Sequence, residues 1–123
     1  MKYKKIVVAG GGVLGSQIAF QSAYSGYDVT VLTHSEESIP EINNRINTLI
    51  KTYLDAINKM DKDKSETSKN WCNGISSVEE FDKDKCIERV NNVNIKVTTS
   101  QEEALKDADL LIESITELFD VTF

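Results

Sequence analysis

The chain is poor in the residues from which most metal, disulfide and acid–base sites are built. It has two cysteines and one histidine in 123 residues. Cys72 and Cys86 show no C-x-x-C spacing and have no histidine beside them, which argues against a metal site. Met1-Lys2-Tyr3-Lys4-Lys5 leads straight into an apolar strand, leaving no room for a secretory signal. Reduced thiols and a cytoplasmic location are therefore expected. No apolar run approaches the ~20 residues of a membrane span, so no membrane partner is expected. Positive charge is short too. Against 20 Asp and Glu stand 14 Lys and Arg, and the net charge of −6 has the wrong sign for a nucleic-acid partner. The remaining composition, 40% hydrophobic and 28% charged, is ordinary for one small globular domain.

Glycine is also scarce, six in all, yet four of the six fall in Gly10-Gly11-Gly12-Val13-Leu14-Gly15. That run is G-x-G-x-x-G, and its context gives it meaning. Lys5-Ile6-Val7-Val8-Ala9 before it reads as a strand buried on both faces. Ser16 to Tyr24 after it reads as a helix, stopped by Ser25-Gly26. Asp28 to Thr33 is a second strand. Strand, glycine turn, helix and strand within about 30 residues make one βαβ unit and the dinucleotide-binding fingerprint. Gly10 would allow the tight turn, Gly12 a close approach of pyrophosphate to the backbone, and Gly15 close packing of the helix on the sheet. The helix N-terminus supplies free N–H groups and the positive dipole end, so phosphate binding needs no cationic side chain.

Further on, Ser38-Ile39-Pro40-Glu41 reads as a capping box. It opens a helix to about Met60 whose stripe is Ile42, Ile46, Leu49, Ile50, Tyr53, Leu54 and Ile57. A polar connector follows from Asp61 to Asn70. Ser77-Val78-Glu79-Glu80 is a second capping box, starting a helix with Val78, Phe81, Ile87 and Val90 as candidate buried positions. Val93 to Thr98 is a third strand, Ser100-Gln101-Glu102-Glu103 caps a short helix through Lys106, and Asp109 to Glu113 is a fourth strand. The fold class is α/β, a Rossmann-type doubly wound parallel sheet. Right-handed crossovers and the usual switch after strand three give its first four strands the order 3-2-1-4, with a helical hairpin between strands two and three. The crevice between strands one and four is the expected ligand site.

Taken together, these residues resemble the N-terminal domain of the 3-hydroxyacyl-CoA dehydrogenases, including the 3-hydroxybutyryl-CoA dehydrogenases. The run Val7 to Ala19 carries the resemblance, as do the helical pair and the segment Val97 to Ser100 through Ala108-Asp109-Leu110-Leu111-Ile112-Glu113-Ser114-Ile115-Thr116-Glu117. The resemblance implies NAD as cofactor, an acyl-CoA substrate, and hydride transfer between C3 of a 3-hydroxyacyl chain and the nicotinamide. It places Gly10, Gly12, Val13, Leu14 and Gly15 along the pyrophosphate, and Ser114, Ile115 and Glu117 near the nicotinamide-side ribose. For Glu117 a plain first-turn helix carboxylate is an equal alternative.

The chain departs from the family pattern in several places. The family's aspartate at the end of strand two, which accepts from the adenosine ribose, aligns with Thr33, followed by His34. Both are candidate cofactor contacts, and NADP stays open beside NAD. The family's lysines after strand four align with Asp120 and Thr122. Its histidine base, glutamate, serine and asparagine fall beyond Phe123, and His34 stands at the adenosine end, away from hydride transfer. No catalytic residue is therefore assigned. Residues 1–123 read as an incomplete NAD(P)-binding domain, without the helical domain and catalytically incompetent alone. A related hydroxy-acid dehydrogenase such as gulonate dehydrogenase is one alternative. A non-catalytic nucleotide-binding module is another. An unpaired strand-four edge bearing Leu110-Leu111-Ile112 leads us to expect a homo-oligomer.

Overall fold

The computed structural model describes residues 4–62, 75–76 and 81–114. Strand β1 (Lys5–Ala9) is followed by helix α1 (Val13–Tyr24) and strand β2 (Asp28–Leu32). A single 3₁₀ turn, Glu36–Ser38, leads into the long helix α2 (Ile39–Lys62). Helix α3 (Lys83–Asn91), strand β3 (Ile95–Thr98), helix α4 (Gln101–Leu105) and strand β4 (Leu110–Glu113) complete the order. The four strands form one parallel sheet in the order β3-β2-β1-β4. Ile6 pairs with both Val29 and Leu110, and Ala9 with Leu32 and Glu113. β1 is thus central among these strands, and its Ile6, Val7 and Val8 are buried as a continuous apolar run requires.

Two apolar clusters position the helices. One face of the sheet gives Ile6, Val8, Val29 and Val31, which pack with Ala19 and Ala23 of α1 and with Ile42 and Ile46 of α2. The second cluster lies beyond the sheet. It joins Phe20 and Tyr24 of α1 to Ala56, Ile57 and Met60 of α2 and to Cys86 and Val90 of α3, so the α2–α3 hairpin is fixed to α1. The expected stripe of α2 is therefore split along its length. Ile42 and Ile46 serve the sheet, whereas Ile57 and Met60 serve the hairpin.

Tyr24 is the polar hinge of that second cluster. Its hydroxyl donates to the Ile75 carbonyl at 3.0 Å, and the Arg89 guanidinium lies 4.2 Å from its ring centroid. Arg89 Nε also donates to the Tyr24 carbonyl. Burial, with the Cys86 thiol beside it, raises the Tyr24 pKa, so the phenol stays protonated and able to donate. Cys86 is a free, buried thiol that packs in this cluster, while Cys72 lies outside the described residues.

Two helix starts differ from the sequence expectation. The cap before α2 is Ser35, not Ser38. Its hydroxyl accepts from the Glu37 N–H at 3.1 Å and begins the 3₁₀ turn, which passes directly into the helix. The cap of α3 is Asp82, accepting from the Lys85 N–H, so Phe81 precedes the helix although it still packs against the hairpin core. The Ser77 box lies outside the described residues. Ser100 does cap α4, through the Glu103 N–H at 3.1 Å. The box is only half formed, because the Glu103 carboxylate turns instead to Lys96 and the Ser100 N–H to Thr98 Oγ1.

Asp109 links β4 to β1 by its side chain. Its carboxylate accepts from the backbone N–H groups of Lys5 at 2.9 Å and Lys4 at 2.8 Å, and these bonds hold its pKa below the ordinary carboxylate value. A depressed folded-state pKa stabilises the fold fully above ~3.9, the unfolded value, and is lost as pH falls through the folded value. Asp109→Asn should therefore unfold at lower urea than the native chain at pH 7. The two midpoints should converge as the pH approaches 2. A constant gap down to pH 2 would show that the carboxylate charge is not the cause.

Candidate functional site

At the carboxyl ends of β1 and β4, Gly10 and Ser114 come together through their backbones. The Gly10 N–H donates to the Leu32 carbonyl at 2.9 Å and the Ser114 N–H to the Ala9 carbonyl at 2.8 Å. Gly10 has φ +110°, a left-handed conformation that favours glycine. A Cβ at Gly10 would run into the Ser114 carbonyl, and one at Gly15 into the Gly10 carbonyl. The loop is therefore clamped between the end of β4 and the first turn of α1.

Gly11, the variable position of the fingerprint, has a reason of its own. A Cβ there would collide with the side chain of Ile42, which is 1% exposed and has nowhere to go. The second glycine of the run thus serves the docking of α2. Two donors hold the Gly11 carbonyl, Ser16 Oγ at 3.1 Å and the Arg45 guanidinium at 2.9 Å. Arg45 in turn pairs with Glu41 one helical turn earlier, at 2.6 Å.

Helix α1 begins at Val13 with Gly12 as N-cap, without a side-chain cap and without an acidic residue in its first turn. Its first N–H groups have no partner within the helix, and its positive dipole end is not neutralised by a carboxylate of its own. Such a terminus suits a phosphate.

Beside the loop lies a cavity of about 680 Å³, within the size range of small-molecule sites. It is lined by Gly10, Gly11 and Gly12 on one side, Thr33 and His34 at the end of β2, Glu41 and Arg45 on α2, Thr99 and Gln101 after β3, and Ser114 after β4. Of the residues expected from sequence, Gly10, Gly12, Thr33, His34 and Ser114 are brought to this one cavity. Val13, Leu14 and Gly15 are not in its lining. They form the first turn of α1, where Val13 and Leu14 are 65% and 61% exposed. Ile115 and Glu117 lie outside the described residues. Thr33 is buried and His34 exposed. Among the described residues no group of His, Cys, Asp and Glu could hold a metal ion, and no helix is long and apolar enough to cross a membrane.

Reasoning from the sequence missed Glu41, Arg45, Thr99 and Gln101. The i, i+4 spacing of Glu41 and Arg45 is visible in the chain as a helical ion pair. That the pair stands over the glycine loop depends on how α2 docks, which no local pattern carries.

A glycine loop at the point where a parallel sheet reverses its strand order, opening onto an uncapped helix, defines a dinucleotide-binding domain of the doubly wound class. The family profile "3-hydroxyacyl-CoA dehydrogenase, NAD binding domain" matches residues 5–122. The chain belongs to that family, and NAD is its cofactor. No curated protein matches it. Among solved structures it is similar to a diketoreductase described as acting on dicarbonyl compounds. The two are 26% identical with a TM-score of 0.63, over 98% of this chain and 35% of that one. It is also similar in fold to the (S)-3-hydroxybutyryl-CoA dehydrogenase PaaH1 from Ralstonia eutropha (22% identity, TM-score 0.57, 98% and 34% covered). M. tuberculosis FadB2 is a third (24% identity, TM-score 0.56, 95% and 32% covered). The chain spans about a third of the length of these structures.

Proposed function

We propose that this chain is the dinucleotide-binding portion of an NAD-dependent 3-hydroxyacyl-CoA dehydrogenase. The observation that carries this reading is the cavity between the glycine loop and the end of β2, inside a match to the family's NAD-binding domain over residues 5–122. Residues 1–123 then form the first part of the nucleotide domain. Gly10, Gly12, Val13, Leu14 and Gly15 serve the pyrophosphate, Thr33 and His34 the adenosine end, and Ser114, Ile115 and Glu117 the nicotinamide-side ribose. In the complete enzyme the bound NAD accepts or returns a hydride at C3 of a 3-hydroxyacyl-CoA. The work of these residues is to hold and orient the dinucleotide.

The same reading makes the isolated chain inert. Its one histidine, His34, lies exposed at the end of β2 and has no role as a base for the substrate hydroxyl. It also has the enzyme working as a homo-oligomer in the cytoplasm. In support of self-association, Leu110 and Leu111 of β4, at the sheet edge of the described residues, are 37% and 44% exposed.

Titration calorimetry of the chain with NAD, together with an NADH-oxidation assay on acetoacetyl-CoA, tests the proposal. The expected result is saturable NAD binding without turnover. Failure to bind NAD would remove the cofactor role, and appreciable turnover would show that the chain holds a base not identified among these residues.

A further inference from the structure

Doubly wound dinucleotide sites hold the adenosine ribose with a carboxylate about 20 residues after the glycines, at the end of the second strand. Here that place belongs to Thr33, which is 7% exposed and has its N–H committed to the Thr98 carbonyl. A buried hydroxyl is a poor substitute, because it neither carries the charge that accepts two ribose hydroxyls well nor repels a 2′-phosphate. The cavity nevertheless contains a carboxylate. Among its described lining residues Glu41 is the one acidic side chain, and it reaches the cavity from α2 instead of from the sheet.

Glu41 is not a loose surface acid. Arg45 grips it at 2.6 Å while a second guanidinium nitrogen donates to the Gly11 carbonyl, so the carboxylate is held in a fixed relation to the phosphate-binding loop. The neighbouring acid Glu36 is occupied elsewhere, accepting from Thr99 Oγ1 at 2.9 Å. Resting on the dinucleotide reading of this cavity, we infer that Glu41, positioned by Arg45, accepts from the adenosine ribose hydroxyls in place of the missing strand-end carboxylate. In this role it selects NAD over NADP. A charged acceptor strengthens the bonds to the unmodified ribose. The same charge, with its partner cation already engaged, opposes a dianionic 2′-phosphate.

The test is the ratio of NADP to NAD dissociation constants, measured by calorimetry on the unaltered chain, on Glu41→Gln, and on Glu41→Gln combined with Thr33→Asp. Glu41 is exposed enough (side chain 65%) for the amide to fold normally. The unaltered chain should prefer NAD. Glu41→Gln should weaken NAD about tenfold while leaving NADP equal or tighter, and Thr33→Asp should restore the preference. A purely structural role for Glu41 would weaken both dinucleotides alike, and that unchanged ratio overturns the inference while leaving NAD binding intact. A preference for NADP in the unaltered chain, with Arg45 meeting the phosphate, also overturns it. Binding of neither dinucleotide overturns both this inference and the reading on which it rests.

Discussion

Replacing Gly10 with alanine is expected to destabilise the chain by about 3 kcal/mol or more and to abolish NAD binding, for two separable reasons. The first is backbone strain, because φ at Gly10 is +110° and an L side chain rarely adopts that conformation. The second is collision, since the new methyl would lie on the Ser114 carbonyl at the end of β4. That carbonyl cannot retreat, because the Ser114 N–H is bonded to Ala9 and β4 is paired to β1 through Glu113. Gly26 provides the control. It has φ +104° but no atom within 4 Å of its would-be Cβ, so Gly26→Ala should cost only the strain, roughly 1–2 kcal/mol, and leave NAD binding unchanged. Urea unfolding of both variants, with calorimetric titration of NAD, checks the pair. Equal losses from the two substitutions would show that the clamp of β4 on the loop contributes nothing.

Phe20→Ala should cost about 3–5 kcal/mol, a large share of the 5–15 kcal/mol by which small domains are typically stable. Phe20 is fully buried, and its ring stacks on that of Tyr53 with centroids 4.5 Å apart and planes 25° from parallel. Tyr24 meets the same Tyr53 ring edge-on at 5.4 Å, and the Tyr53 hydroxyl donates to Gln21. This aromatic seam holds α2 to α1, and truncating Phe20 leaves a cavity that the tightly packed Ile57 and Met60 cannot refill. Phe20 lies on α1 away from the cavity lining, so NAD affinity of the folded fraction should be unaffected. Denaturant unfolding at 25 °C measures the loss. A cost below about 1 kcal/mol would mean that the seam relaxes and that the α1–α2 contact is held elsewhere.

The two variants probe the two kinds of feature that decide how legible the chain was. β1 was readable to the residue, Lys5–Ala9, because a strand buried on both faces needs an unbroken apolar run. The strand order followed from right-handed crossovers with the usual switch after strand three. Helix starts were less readable. Ser38 and Ser100 both stand three residues before a glutamate, yet Ser35 took the capping role of the first, and α3 is capped by Asp82. The reason is that several short polar side chains compete for the same free N–H groups, and packing chooses among them. Phe81 shows this, leaving the helix to pack against the hairpin core.

The candidate site divides the same way. The glycine spacing and the family's segment around Ala108–Glu117 lie along the chain, so the sequence by itself determined the βαβ unit, the glycine loop and the family, whereas the crevice beside that loop is lined from the ends of β2 and β3 and from α2 as well as by Ser114. Which side chains face that crevice was decided only in three dimensions. Gly11 reads as a spare glycine until Ile42, 31 positions on, is seen pressed against it. Glu41 and Arg45 read as an ordinary exposed ion pair until α2 docks on that same glycine and places them in the cavity. Local spacing encodes the backbone cradle, because a turn and a helix end are made by neighbours. The charges around the cradle come from a helix brought in by burial of its apolar stripe, and that contact exists only once the sheet and α1 are in place.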